Sequence, residues 1–165
     1  MQNLLTHMSG LGSYFNETYD RTSRDLFRQV DDYKSLVQGD TLAFEPGSRF
    51  GYSNTGMLLL GVVIEKASGE NYFDYIRKHI YEPAGMTRSD CYELDRINDN
   101  LAEGYLRAPD GAWKNNLYMH VLKGGPAGGG YSTVRDLHRY ARAMQTGKLV
   151  SAASLENMWT NHAGV

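Results

Sequence analysis

Apolar side chains crowd most densely between Met57 and Ala67, where Met57, Leu58, Leu59, Leu60, Val62, Val63, Ile64 and Ala67 are relieved only by Gly61, Glu65 and Lys66. A segment apolar nearly all round reads as a buried helix. Ser53 or Asn54 can accept from the free N–H groups of its first turn, and Gly69 supplies its stop. Immediately upstream, Pro46-Gly47 punctuates the chain. The stretch from Phe44 to Gly56 therefore reads as a tight turn that delivers Tyr52 and Asn54 to the mouth of a rigid element.

Elsewhere the pattern is also largely helical. Leu4 to Leu11 looks like the last turn of a helix with a glycine exit at Gly10. Thr22 with Asp25 fits a capping pair, after which Leu26, Phe27, Val30, Tyr33 and Val37 recur at helical spacing until Gly39. Asn71 can cap a short amphipathic helix carrying Phe73, Ile76 and Ile80, which Pro83 and Gly85 end. Met86 to Asn100 shows no period and reads as loop. Ala102 to Arg107 and Ala112 to Leu117 flank Pro109-Asp110-Gly111, the signature of a small hairpin. Past a glycine-rich connection from Lys123 to Tyr131, Thr133 and Asp136 form a capping box, and Val134, Leu137, Tyr140, Ala141 and Met144 form an apolar stripe until Gly147. Ser151 begins a last short helix through Leu155, Met158 and Trp159. The expected fold is mainly α with one small β-hairpin, in a single domain over 1–165.

Composition narrows the function classes. A chain of 165 residues can bury a proper core. With 17 basic and 19 acidic residues, a net charge of −2 gives no electrostatic basis for binding nucleic acid or an anionic membrane. The longest apolar run, Met57 to Ile64, is far short of the roughly 20 residues of a transmembrane helix. Met1 opens onto Gln2-Asn3-Leu4-Leu5 with no basic or cleavable segment, so no secretion signal is expected and no compartment is assigned. Cys91 is alone, which excludes an internal disulfide.

Several chemistries are tempting and weak. Gly124 to Gly130 is rich in glycine, but no Lys-Ser or Lys-Thr follows, so flexible backbone is the better reading than a phosphate loop. His7, His79, His120, His138 and His162 show no ligand spacing with each other or with Cys91, so neither a metal nor another cofactor is expected. His7, near a helix end, reads as a hydrogen-bonded structural residue. Gly51 to Gly56 approaches the Gly-x-Ser-x-Gly nucleophile elbow, but its second glycine comes one place late and no strand precedes it. Ser53 reads as a cap. Tyr52 differs: a phenol titrates near about pH 10 and serves as a base at neutral pH only with a cation beside it.

The setting of Tyr52 is specific. Leu4-Leu5-Thr6-His7-Met8-Ser9-Gly10-Leu11, the turn Phe44 to Asn54, the helix Gly61 to Gly69, Ile80 to Thr87, and Gly129-Gly130-Tyr131-Ser132-Thr133-Val134-Arg135-Asp136-Leu137 occur in that order. The series resembles the serine β-lactamase family in its broad sense: class C β-lactamases, D-alanyl-D-alanine carboxypeptidases and related esterases. The resemblance implies an active-site serine in Ser-x-x-Lys, with Tyr52 as general acid/base, Asn54 as a polar contact to lysine or substrate, and Gly128, Gly129 and Gly130 near the substrate at the cleft rim.

The departures are equally definite. No serine here is followed three places later by lysine, the nearest form being Ser132-Thr133-Val134-Arg135. By the resemblance, the nucleophile would lie before Met1 and the strand-borne Lys-Thr-Gly or His-x-Gly beyond Val165, with His162-Ala163-Gly164 a coincidence. The expectation is the helical lobe of a β-lactamase-like α+β fold without most of its main sheet, inactive alone, whose parent takes a small acyl substrate. Helix faces left bare by a missing sheet would favour a self-associating, non-catalytic module instead. An unrelated helical binding domain with a chance Tyr-x-Asn is the third reading.

Overall fold

The computed structural model describes residues 1–162, and the His162-Ala163-Gly164 triplet runs outside them. Helix α1 (Gln2–Leu5) leads into a long loop, then α2 (Glu17–Arg21), 3-10 turns at Arg24–Leu26 and Val30–Tyr33, and α3 (Lys34–Val37). The long helix α4 (Asn54–Ser68) is followed by α5 (Tyr72–Ile76), a π turn (Arg77–Tyr81) and α6 (Glu82–Ala84). Strands β1 (Asp90–Cys91), β2 (Tyr105–Arg107), β3 (Trp113–Asn115) and β4 (Gly130–Tyr131) precede α7 (Val134–Gln145) and α8 (Ala152–Trp159). Helices thus carry two small antiparallel sheets, β1-β4 and β2-β3.

Helix α4 begins and ends where its capping residues stand. The Ser53 hydroxyl accepts the Gly56 N–H at 2.8 Å, and Gly69, at φ 72°, donates to the Glu65 carbonyl. Its burial is narrower than its sequence suggests. Leu58 is buried, whereas Met57, Leu59, Leu60, Val62, Val63 and Ile64 stay partly open among the described residues. The expectation of a helix buried all round is corrected: Val62 and Ile64 pack against the core only in part, and Met57, Leu59, Leu60 and Val63 stay half-buried.

The main core is aromatic and comes from an irregular segment. Tyr14, Tyr19, Phe27, Val30, Tyr33 and Leu36 gather with Leu58, Tyr72 and Phe73. The rings of Tyr14 and Tyr33 lie 4.9 Å apart and those of Phe27 and Tyr33 5.0 Å apart. The helix expected from Thr22 to Gly39 is therefore not one helix. Thr22 starts no helix: it is the C-cap of α2, whose N-cap is Asn16, and it is extended at ψ 141°, its hydroxyl turned back onto the Thr18 carbonyl at 2.6 Å. Separate turns aim Phe27, Val30 and Tyr33 inward and leave Leu26 exposed.

Two further expectations need correction. Pro83 does not end the helix after Asn71, because it sits in the first turn of α6, where its missing N–H costs nothing, behind a π turn that reopens the backbone. Gly85 then closes the helix, its N–H on the Glu82 carbonyl and that of Met86 on Tyr81. The loop expected at Met86 to Asn100 contains β1, which pairs Asp90 with Tyr131 and Cys91 with Gly130. The expected hairpin forms, with Tyr105 opposite Asn115 and Arg107 opposite Trp113.

Helix α7 is capped by Thr133 as expected, but rotated from the expected stripe. Its buried residues are Asp136, Ala143 and Met144, while Val134 is 84% and Leu137 56% exposed. The carboxylate decides the rotation. Asp136 is fully buried and accepts the Arg88 N–H at 2.7 Å, the Ser89 hydroxyl at 2.9 Å and the Arg139 guanidinium at 2.8 Å. Burial alone would raise its carboxyl, yet these donors hold it below the usual carboxylate range.

The glycine-rich loop locks onto α4 through Gly61, where a Cβ would stand 2.1 Å from Pro126 Cγ. Gly61→Ala is expected to lower stability by about 1–3 kcal/mol in urea unfolding, because the proline ring has no flexible end to yield. Asp136→Ala should cost about 3 kcal/mol at pH 7 by leaving its donors unpaired. A depressed carboxyl stabilises above its unfolded value and loses that contribution on acidification, so the gap between wild type and variant should shrink below about pH 4. Unfolding curves at pH 7 and pH 3 check both statements.

Candidate active site

The Tyr52 turn is held from behind by the loop after α1. The Met8 carbonyl accepts from Gly47, the Gly10 carbonyl from Ala43 and the His7 carbonyl from Gly51, each at 2.8 Å. The Ser53 side chain, wholly buried, donates to the Gly12 carbonyl at 2.8 Å while capping α4. His7 Nδ1 accepts the Ser53 N–H at 3.2 Å, the structural, hydrogen-bonded role expected of it. The Leu-Leu-Thr-His-Met-Ser-Gly stretch is thus a backbone cradle for the Tyr-x-Asn turn.

On this support the phenol faces outward. Tyr52 is 62% exposed, and its hydroxyl donates to Asn54 Oδ1 at 3.2 Å. Asn54 Nδ2 in turn donates to the Ser13 hydroxyl at 3.2 Å, which also accepts the Phe15 N–H. Tyr14 stands behind as a buried phenol pushed up to about 12, by burial first and then by Tyr19 and Tyr52. It therefore stays neutral at pH 7. Gly12 and Ser13, which sequence reasoning passed over, carry no motif of their own; only their contacts reveal them.

The glycines lie elsewhere on the surface. Gly125 and Gly128 bond reciprocally at 2.7 and 2.9 Å, and Gly129 accepts from the Tyr92 N–H at 3.0 Å. A Cβ on Gly124 would fall 1.9 Å from the Gly129 carbonyl, so the two backbone runs touch. Gly129 and Gly130 line a cleft of about 990 Å³ together with Arg88, Tyr92, His120 and Ser132. Among the described residues, Tyr52 and Asn54 meet directly, whereas neither lines the cleft at Gly129 and Gly130.

The family model described as Beta-lactamase matches residues 1–165. The chain belongs to the beta-lactamase family. It is 33% identical to a penicillin-binding protein of Bacillus subtilis (strain 168), covering 97% of this chain and 38% of that one. Among solved structures, a penicillin-binding protein from Bacillus halodurans shares 34% identity with a TM-score of 0.88, over 97% of this chain and 50% of that one. The octameric penicillin-binding protein homologue from Pyrococcus abyssi shares 31% identity with a TM-score of 0.75, over 96% and 37%. The beta-lactamase-family chain therefore spans half or less of the length of these relatives.

Ser53→Ala removes the cap of α4 and the bond to Gly12 together, and is expected to cost about 2 kcal/mol in thermal or urea unfolding. Tyr52→Phe, on an exposed ring, should stay within about 0.5 kcal/mol of wild type in the same measurement.

Proposed function

We propose that Tyr52 is the general acid/base of a serine acyl-transfer site, in a parent hydrolase that forms an acyl-enzyme on a β-lactam, a D-Ala-D-Ala peptide or a small ester. The observation that carries this reading is the exposed phenol on Asn54 at the capped start of α4. In the cycle, the serine hydroxyl of a Ser-x-x-Lys segment would pass its proton to the Tyr52 phenolate as its oxygen attacks the acyl carbon, and the phenol so formed would give that proton to the leaving group as the acyl–leaving-group bond breaks. The lysine ammonium would stabilise the phenolate before the attack and again once the proton has been given up. Asn54 would hold that lysine or the substrate, and Gly128, Gly129 and Gly130 would border the acyl group's path.

The chain is one truncated domain in this reading, the helical lobe of a β-lactamase-like fold. It has no serine followed three places later by lysine, so it turns over nothing alone. With a chromogenic β-lactam and a short ester, the isolated chain should show no hydrolysis above background; turnover abolished by Tyr52→Phe would overturn its inactivity. Spliced in place of the matching segment of the Bacillus halodurans relative, it should support acyl transfer, and Tyr52→Phe should then lower kcat/KM by about 10²–10⁴-fold. An unchanged rate would remove Tyr52 from the mechanism.

A second reading, self-association, has its own observation. Val134, Leu137, Met158 and Trp159 are exposed on α7 and α8, a concentration of apolar surface that favours a partner. One relative is described as octameric. Light scattering behind size exclusion decides it: a monomer at high concentration would sink this reading.

A further inference from the structure

We infer that His7 is the positioning residue for Tyr52, its imidazole setting where the phenol points. The inference rests on the reading of Tyr52 as the proton-transfer group. It concerns a residue of the supporting loop, and four observations converge on it. His7 adopts φ 55°, a left-handed conformation that a non-glycine residue pays for. From that conformation its carbonyl accepts the Gly51 N–H at 2.8 Å, and its Nδ1 accepts the Ser53 N–H at 3.2 Å. Its ring lies 4.5 Å from the Tyr52 ring at 34°, and 5.9 Å from Phe50, edge to face. One side chain and its own backbone therefore grip the residues immediately before and after Tyr52 as well as the ring between them.

The chemistry follows from the acceptor. A ring nitrogen that receives the Ser53 N–H must present its lone pair, so the imidazole proton sits on Nε2. The ring plane is then fixed by a hydrogen bond at one edge and by the left-handed backbone at its root. Tilted against that plane at close range, the phenol loses freedom about its side-chain bonds, and its hydroxyl is left at Asn54 Oδ1. A merely structural histidine would need the hydrogen bond alone. The ring-to-ring contact is what ties it to the phenol.

Nuclear magnetic resonance on the 165-residue chain tests this without any turnover. The imidazole nitrogen spectrum should show the Nε2–H tautomer with Nδ1 as a bare acceptor. Two variants separate the two grips. His7→Asn keeps an acceptor on Cγ and tolerates left-handed backbone, so the Ser53 amide should keep its slow exchange while the Tyr52 ring resonances lose their ring-current shift. His7→Phe keeps a ring and no acceptor, and should speed Ser53 amide exchange about tenfold. A proton on Nδ1, or Tyr52 resonances unmoved in folded His7→Asn protein, would overturn the inference. Because nothing here reads catalysis, an unchanged kcat/KM for Tyr52→Phe in the spliced enzyme would count against the proposed function and leave these results standing.

Discussion

The structure depends on one piece of backbone pairing, the loop at residues 6–13 laid against the turn at 42–53. Neither segment is regular, so neither can satisfy its own peptide groups. Met8, Gly10, Gly12 and His7 supply carbonyls, and Ala43, Gly47, Gly51 and Ser53 supply donors. The wholly buried Ser53 side chain joins this seam to the first turn of α4. Helix, turn and loop become one rigid unit, and Tyr52 projects from its edge.

A second contact joins that unit to the other half of the chain. The glycine-rich loop reaches α4 where Gly61 opens a notch for Pro126. Lys123, at the root of the loop, pairs with Glu93 at 3.1 Å and sits 3.9 Å from the centre of the Phe73 ring. The loop is thus held by packing on one side and by charge on the other, although its composition suggests only freedom. Glycine here permits close approach; it does not signal mobility.

Among the described residues, apolar side chains are less covered than their density along the chain implies. Helix α4 buries Leu58 and leaves its other large apolar residues partly open, and α7 turns Val134 and Leu137 outward so that Asp136 can meet Arg88 and Ser89. A satisfied buried carboxylate outweighs two exposed aliphatic side chains, since an unpaired charge costs more to bury than an apolar group costs to expose. The relatives run to about twice this length or more.

By itself the sequence determined what is local or ordered along the chain: the caps at Ser53, Asn71 and Thr133, the stop at Gly69, the hairpin around Asp110-Gly111, and the motif series that marks the family. The caps, the stop and the hairpin rest on residues a few places apart, where backbone geometry alone decides, and the series rests on order along the chain. Only the tertiary structure decided which faces are buried, that residues 22–39 break into turns, and that His7, Gly12 and Ser13 support a tyrosine some forty residues away. Those outcomes turn on long-range partners for buried polar groups and rings, and periodicity carries no record of such partners.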